Sequence, residues 1–290
     1  MIEHLSSRRV QIREALSADS GPLGDVTSIA LIEKELTASA EYVVKASSGT
    51  VSGIEIAQLV MEETDPRILF TPLLKDGDFV RRGDKIAKIS GPARSILAGE
   101  RISLEFLRRM SGIATETRRF VDEVRGTGAI ILDTRKVFPG YGDLDKKAVR
   151  DGGGTNHRLN LSEMGLIKNN HIDMLDGNVE LAIKIFRAKY PDIPLEVEVR
   201  NKKELKTALE NNPDRILLDN MNNEETKSAV QIRNKYKENK DIYIPLEASG
   251  NMTIDRVRSV AITGVDFISV GALTHSVDAF DISLHIIFNK

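Results

Sequence analysis

The sequence predicts an α/β protein in which a small mixed N-terminal region precedes a longer run of parallel strands with helical crossovers. Three observations carry this. From residue 128 onward, strand-like runs (AIILD, PLEVEV, RILLD, IPLEASG, DFISVG) alternate with helix-like runs such as NVELAIKIFRAKY and KKELKTALENN, the order that builds parallel sheets. Asp133, Glu198, Asp219, Ser249 and Gly271 each stand at or just past the end of one of those strands, the rim on which α/β barrels build their sites. A length of 290 residues also exceeds the usual size of one domain. A doubly wound open sheet is the competing architecture, but no GxGxxG turn follows the first strand.

Composition narrows the function. Hydrophobic content of 41% and charged content of 29% are those of a globular protein. No apolar run approaches the roughly 18 residues of a membrane span, so no membrane partner is expected. The start, MIEHLSSRRVQIREAL, lacks an apolar h-region and reads as an amphipathic helix, which predicts a cytoplasmic protein. Zero cysteines exclude disulfides, thiolate metal sites and cysteine nucleophiles, leaving a hard cation such as magnesium as the expected metal. A net charge of -2 and the absence of tryptophan argue against nucleic acid.

Taken in order, residues 3–18 have imperfect helical spacing and end in the turn-rich SADSGPLGD, where Asp25 and Thr27 read as a helix cap or a substrate contact. LTASAEYVVKA, ILFTPL and KIAKISG read as strands around the short helix GIEIAQLVMEET. DGDFVRRGDKIAKISG resembles the turn-and-strand style of biotinyl or lipoyl carrier modules, without the modifiable lysine between two hydrophobic residues. Residues 93–126 are helical in spacing, with Gly112 expected to break them into two helices. Arg101 lies mid-helix, where a surface ion pair is the ordinary reading.

The stretch from Asp133 to His171 carries the densest cations, Arg135, Lys136, His157, Arg158, Lys168 and His171, on turn-forming sequence. Arginine forks hold carboxylate or phosphate bidentately and lysine acts as a mobile point charge, so the pattern predicts a small, highly charged anion. The run Gly152-Gly153-Gly154 permits either close approach of an anion or a tight chain reversal. Glu198 and Asp219 are candidate ligands for magnesium or acceptors for sugar hydroxyls; a structural counter-charge to the cations predicts the same placement. Ser249, Gly250 and Asn251 precede a helix with Thr253 as its expected cap, and Gly271 lies on the next turn, near His275. Two late turns of this kind suit a phosphate.

DTRKVFPG, GGGTNHRLNLSEMGLIKNNHI, EVEV, ILLDNM, LEASGNMT and ISVGALTHSVDAFDISL, in that order, closely resemble the motifs of the quinolinate phosphoribosyltransferase family. LGDVTS and GERISLEFLRRMSGIAT resemble its N-terminal motifs, so the likeness covers almost the whole chain. The resemblance implies a small N-terminal α/β sandwich domain (1–110), an incomplete TIM-like α/β barrel (111–275), and a C-terminal segment (276–290) packing back on the first domain. It implies transfer of a phosphoribosyl group from 5-phosphoribosyl 1-pyrophosphate (PRPP) to quinolinate with decarboxylation, giving nicotinate mononucleotide, with magnesium. By the same resemblance Arg101, Arg135, His157, Arg158 and Lys168 bind quinolinate. Lys136, Glu198, Asp219, Ser249, Gly250, Asn251, Gly271 and His275 bind PRPP, Glu198 and Asp219 hold the metal, and Lys136, Lys168, Glu198 and Asp219 form the catalytic set. A homodimer, or a higher oligomer, with shared active sites and Arg101 acting in trans is implied as well. This sequence departs from the family pattern at Tyr141-Gly142-Asp143 and at Asn251, where a second glycine is usual. A nicotinate-using or molybdenum-uptake-associated relative and a non-catalytic sugar-phosphate binder are the competing functions.

Overall fold

The structure is a computed structural model that describes residues 2–287, so Met1 and residues 288–290 of the expected C-terminal segment lie outside it. The chain forms two compact units, Met1–Thr115 with Val277–Lys290, and Glu116–Ser276.

The first unit contains α1 (Ile2–Ser20), α2 (Val26–Leu31), β1 (Thr37–Val44), β2 (Ser48–Thr50), α3 (Ile54–Thr64), β3 (Leu69–Pro72), β4 (Phe79–Arg81), β5 (Lys85–Pro92) and the start of α4 (Ala93–Glu123). The last described strand of the chain, β12 (Ile282–Ile287), pairs antiparallel with β1 in a four-stranded sheet of order β12-β1-β5-β3. Alternating residues Tyr42 and Val44 of β1, with Ile86 and Ile89 of β5, pack with Met61 of α3, Ile96 and Leu107 of α4, and Phe280. Asp25 settles as a cap: its carboxylate accepts the amides of Thr27 and Ser28 at the start of α2.

Asp65, just past α3, is buried and accepts hydrogen bonds from the Arg67 amide (3.0 Å), Arg67 Nη2 (2.7 Å) and Ser95 Oγ (2.6 Å). The Arg67 bonds outweigh burial and hold the carboxyl far below its ordinary 3.8. A depressed folded pKa contributes stability above the unfolded value and loses it as pH falls through the folded one. Because Arg67 is exposed, Asp65→Asn should cost about 1 kcal/mol at neutral pH. The melting-temperature gap between wild type and variant should narrow below pH ~4; a constant gap would show that the charge contributes nothing.

Helix α4 corrects one expectation: it runs unbroken for 31 residues through Gly112. Glycine is there for proximity, since a Cβ at 112 would lie 2.2 Å from the Asp278 carbonyl oxygen.

The second unit contains β6 (Ile130–Leu132), α5 (Gly142–Asp151), β7 (Gly165–Ile167), α6 (Asn169–Asp173), α7 (Val179–Lys189), β8 (Leu195–Val199), α8 (Lys202–Glu210), β9 (Arg215–Asp219), α9 (Asn223–Lys240), β10 (Leu246–Ser249), α10 (Ile254–Ala261), β11 (Phe267–Ser269) and α11 (Ala272–His275). All pairings in its six-stranded sheet are parallel, in the order β6-β11-β10-β9-β8-β7. The first strand thus pairs with the last and the rest follow in sequence, the winding of a barrel. A doubly wound sheet would reverse direction midway. The sheet stays open between β6 and β7 and has fewer than the eight strands of a complete barrel. Strand β7 is not among the strand-like runs read from the sequence.

Candidate active site

The rim at the C-terminal strand ends is built as the strand pattern predicts. Lys168 follows β7, Glu198 lies near the end of β8, Asp219 and Ser249 end β9 and β10 as register partners, and Gly271 lies beyond β11. Alternation places Glu198 on the same face of β8 as Glu196, two residues earlier.

Asp133, wholly buried after β6, organises the cationic loops. Its Oδ1 accepts from Lys146 Nζ (2.6 Å) and the His157 amide (2.9 Å), and its Oδ2 accepts from Asn156 Nδ2 (2.5 Å). Burial pushes this carboxyl up while Lys146 opposes the shift. The glycine run serves packing: a Cβ at Gly154 would lie 2.7 Å from Thr117 Cγ2 and 2.9 Å from Val149 Cγ1. Close approach to the helices, rather than to an anion, explains that residue.

Beyond this anchor, Arg158 Nη1 donates to the Met164 carbonyl (2.8 Å), while its Nε is buried and has no partner. Burial lowers the pKa of this guanidinium, and the nearby Arg135 lowers it further. Two like charges beside a buried donor without a partner suit an anionic group.

Lys168 Nζ stands 3.8 Å from Glu198 Oε2, and Glu198 also accepts the Asn169 amide at 3.3 Å. Burial pushes the Glu198 carboxyl up, Asp219 adds to that, and Lys168 opposes it. Two carboxylates that feel one another on neighbouring strand ends are hard oxygen donors, a donor set that would suit a divalent cation. His171 plays a structural part: its Nδ1 accepts the Lys168 amide (2.9 Å) and caps α6.

In the turn after β10, Gly250 has φ +99°, and a Cβ there would lie 2.1 Å from Asn220 Oδ1, so only glycine fits. Asn251 adopts φ +43°, within reach of asparagine, which explains how the turn survives without a second glycine. Thr253 does precede α10, but its side chain makes no cap bond. Arg256, which the sequence reading missed, braces the turn through the Gly250 (2.9 Å) and Met221 (2.8 Å) carbonyls. Lys136 Cδ and His275 Nε2 both lie within 3.2 Å of where a Gly271 Cβ would stand, so the loops after β6 and β11 meet there. Thr274 Oγ1 ties them by donating to the Lys136 carbonyl (2.8 Å), and His275 Nδ1 pairs with Ser276 Oγ (2.6 Å). Arg101 belongs to the first unit, on α4, where its exposed guanidinium lies 3.5 Å from Glu105.

The residues most clearly missed are Glu196, Glu247 and Arg215. His157 Nε2 lies 2.8 Å from Glu196 Oε2 and 3.4 Å from Glu247 Oε2, and Arg215 Nη1 lies 2.9 Å from Glu247 Oε2. The three ligand atoms of His157, Glu196 and Glu247 fall within 4.8 Å of one another, which suits a metal ion as well, but Arg215 already supplies positive charge there. Burial opposes a charge on His157, yet the two carboxylates outweigh it and favour a cation with a pKa of about 9. The Arg158 amide, however, donates to His157 Nδ1 at 2.7 Å and needs that lone pair. This contact selects the neutral ring with its proton on Nε2, and the geometry decides the assignment. The signal was present in the sequence, since Glu196 and Glu247 each stand two residues before a rim residue and so share its face.

Residues 25–111 match the quinolinate phosphoribosyl transferase N-terminal domain and residues 113–285 the C-terminal domain. The chain is 41% identical, over 95% of its length and 76% of the relative's, to a chloroplastic nicotinate-nucleotide pyrophosphorylase [carboxylating] of Oryza sativa subsp. japonica. It is 40% identical, over 95% and 96%, to the Mycobacterium leprae (strain TN) protein of that name. The solved nicotinate-nucleotide pyrophosphorylase of Francisella tularensis superposes with a TM-score of 0.88 at 34% identity, covering 97% of this chain and 96% of its own. The chain therefore belongs to the quinolinate phosphoribosyltransferase family.

Proposed function

We propose that the chain joins quinolinate to PRPP and decarboxylates the adduct, giving nicotinate mononucleotide, pyrophosphate and carbon dioxide in NAD biosynthesis. The observation that carries this is Arg158, whose buried, unpartnered Nε beside Arg135 calls for a carboxylate. Arg135, Arg158 and Lys168 take the two quinolinate carboxylates, with His157 supporting Arg158 and Arg101 closing the set. Lys136 attends the pyrophosphate, Glu198 and Asp219 the ribose hydroxyls, and Ser249, Gly250, Asn251, Gly271 and His275 the 5-phosphate.

The pyridine nitrogen attacks the anomeric carbon as pyrophosphate departs, and Lys136 and Lys168 stabilise the growing negative charge. Magnesium held by Glu198 and Asp219 would neutralise further charge on the diphosphate. Loss of the 2-carboxylate as carbon dioxide leaves an electron pair on the ring carbon next to the new pyridinium nitrogen, and protonation of that carbon completes the product. No covalent nucleophile is needed, so positioning and fixed charge dominate. The purified protein, given quinolinate, PRPP and magnesium, should release carbon dioxide and nicotinate mononucleotide. Product from nicotinate alone would overturn the substrate assignment, and phosphate-ligand binding without any product would favour the binder.

The active sites are shared in a homodimer, the arrangement that gives exposed Arg101 a substrate to meet. Inactive Arg101→Ala and Lys136→Ala subunits, mixed as verified heterodimers, should regain about a quarter to a half of wild-type activity, because one of the two shared sites is intact; no recovery would refute sharing. We place the reaction in the cytoplasm, a setting compatible with a cysteine-free chain. No helix among the described residues is long and apolar enough to cross a membrane.

A further inference from the structure

Beneath the rim, the second unit buries a charged group that the proposed reaction has not used. Glu196 and Glu247 are both 0% exposed. Glu196 Oε2 lies 2.8 Å from His157 Nε2, and Glu247 Oε2 lies 3.4 Å from the same nitrogen and accepts a hydrogen bond from Arg215 Nη1 at 2.9 Å. Arg215 is fixed in turn by stacking 4.4 Å above the Phe267 ring. Branched aliphatic residues usually fill such a layer of an α/β barrel. A buried ionic group is seldom more stabilising than apolar side chains of the same volume, and desolvating it is expensive. Stability alone therefore does not account for two glutamates here.

Their geometry does. The acid pair faces Nε2 of His157, and the opposite ring nitrogen accepts the amide of Arg158 at 2.7 Å. Arg158 is the residue whose Nε remains buried and free. We infer that Glu196 and Glu247 are positioning residues for the quinolinate site: they hold the Nε2 proton of His157, which keeps Nδ1 open to the Arg158 amide and so aims the Arg158 guanidinium at a substrate carboxylate. Asp133 pins the same segment by accepting the His157 amide at 2.9 Å. The relay resembles the second ring nitrogen of a metal-bound histidine, whose partner fixes tautomer and orientation. This inference rests on the reading of the rim as a quinolinate site.

Glu196→Leu and Glu247→Leu remove the acceptors while filling the space, and Glu196→Gln and Glu247→Gln keep an oxygen that can accept from Nε2–H. In the leucine variants KM for quinolinate should rise at least roughly tenfold, since misplacing a binding group by about 1 Å can cost 100-fold. KM for PRPP should stay within about twofold, and the glutamine variants should recover most of the loss. Nitrogen-15 NMR of labelled histidine should show the Nε2–H tautomer of His157 in the wild type and the glutamine variants, and a mixture in the leucine variants.

Three results would each overturn the inference: an Nδ1–H or doubly protonated ring in the wild type, an unchanged quinolinate KM in a folded leucine variant, or a parallel rise in both KM values. If a leucine variant does not fold, the wild-type tautomer and the KM values of the glutamine variants still decide. A wild-type protein that forms no product from quinolinate would instead defeat the proposed function, while the tautomer would remain measurable.

Discussion

Arg158→Ala is expected to lower kcat/KM for quinolinate by about 10- to 150-fold while leaving KM for PRPP nearly unchanged. A hydrogen bond to a charged group contributes roughly 1.5 to 3 kcal/mol, and each 1.36 kcal/mol is a factor of ten. Loss of the fork removes the buried Nε donor, which has no partner among the described residues, and on the proposed reading it leaves one substrate carboxylate to Arg135, Lys168 and Arg101. Arg158→Lys should recover part of the loss, because a point charge restores attraction without the planar fork. Steady-state kinetics with each substrate varied in turn provide the measurement. A fall of less than threefold would show that Arg158 does not contact quinolinate.

Gly112→Ala is expected to destabilise the first unit by at least about 3 kcal/mol, although alanine is the better helix former by about 1 kcal/mol. The opposing effect is steric. A Cβ at position 112 would stand 2.2 Å from the Asp278 carbonyl oxygen, 3.3 Å from its carbon and 3.5 Å from the Phe280 amide. The obstacle is backbone, which cannot rotate away. The segment leading into β12 would have to lift off α4, breaking the Phe280 N–H bond to the Arg108 carbonyl (3.0 Å) and loosening buried Phe280 and Ile282 in the core. Urea titration and calorimetry should both register the loss, with the melting temperature down by several degrees, at roughly 2–4 °C per kcal/mol for a chain of this size. A variant as stable as wild type would mean that helix and segment separate without penalty.

Both results turn on features of different legibility. Arg158 was readable because charge on turn-forming sequence is a local signal, and the same holds for Glu198, Asp219 and Ser249, which alternation and strand ends place on one rim. Gly112 was misread because a glycine in a helical run looks the same whether it breaks the helix or admits a neighbour. Only the approach of residues 278–280, more than 160 positions later, separates the two readings. The short strand β7 and the bracing Arg256 were hidden for a related reason, since their partners lie on other strands and turns.

What the sequence by itself determined is the α/β class, the order of its strands and helices, the placement of Glu198, Asp219, Ser249 and Gly271 at the strand ends and the dense cations of the loops. Periodicity, turn chemistry and charge act over a few residues and can be read along the chain. Tertiary structure alone decided that β6 pairs with β11 and leaves the barrel open toward β7, that α4 continues through Gly112, and that His157 turns one nitrogen to Glu196 and Glu247 and the other to Arg158. Those outcomes depend on where buried donors find acceptors once distant segments are packed together. An unpaired polar group in the interior costs about 1–3 kcal/mol, so partner choice belongs to the assembled fold.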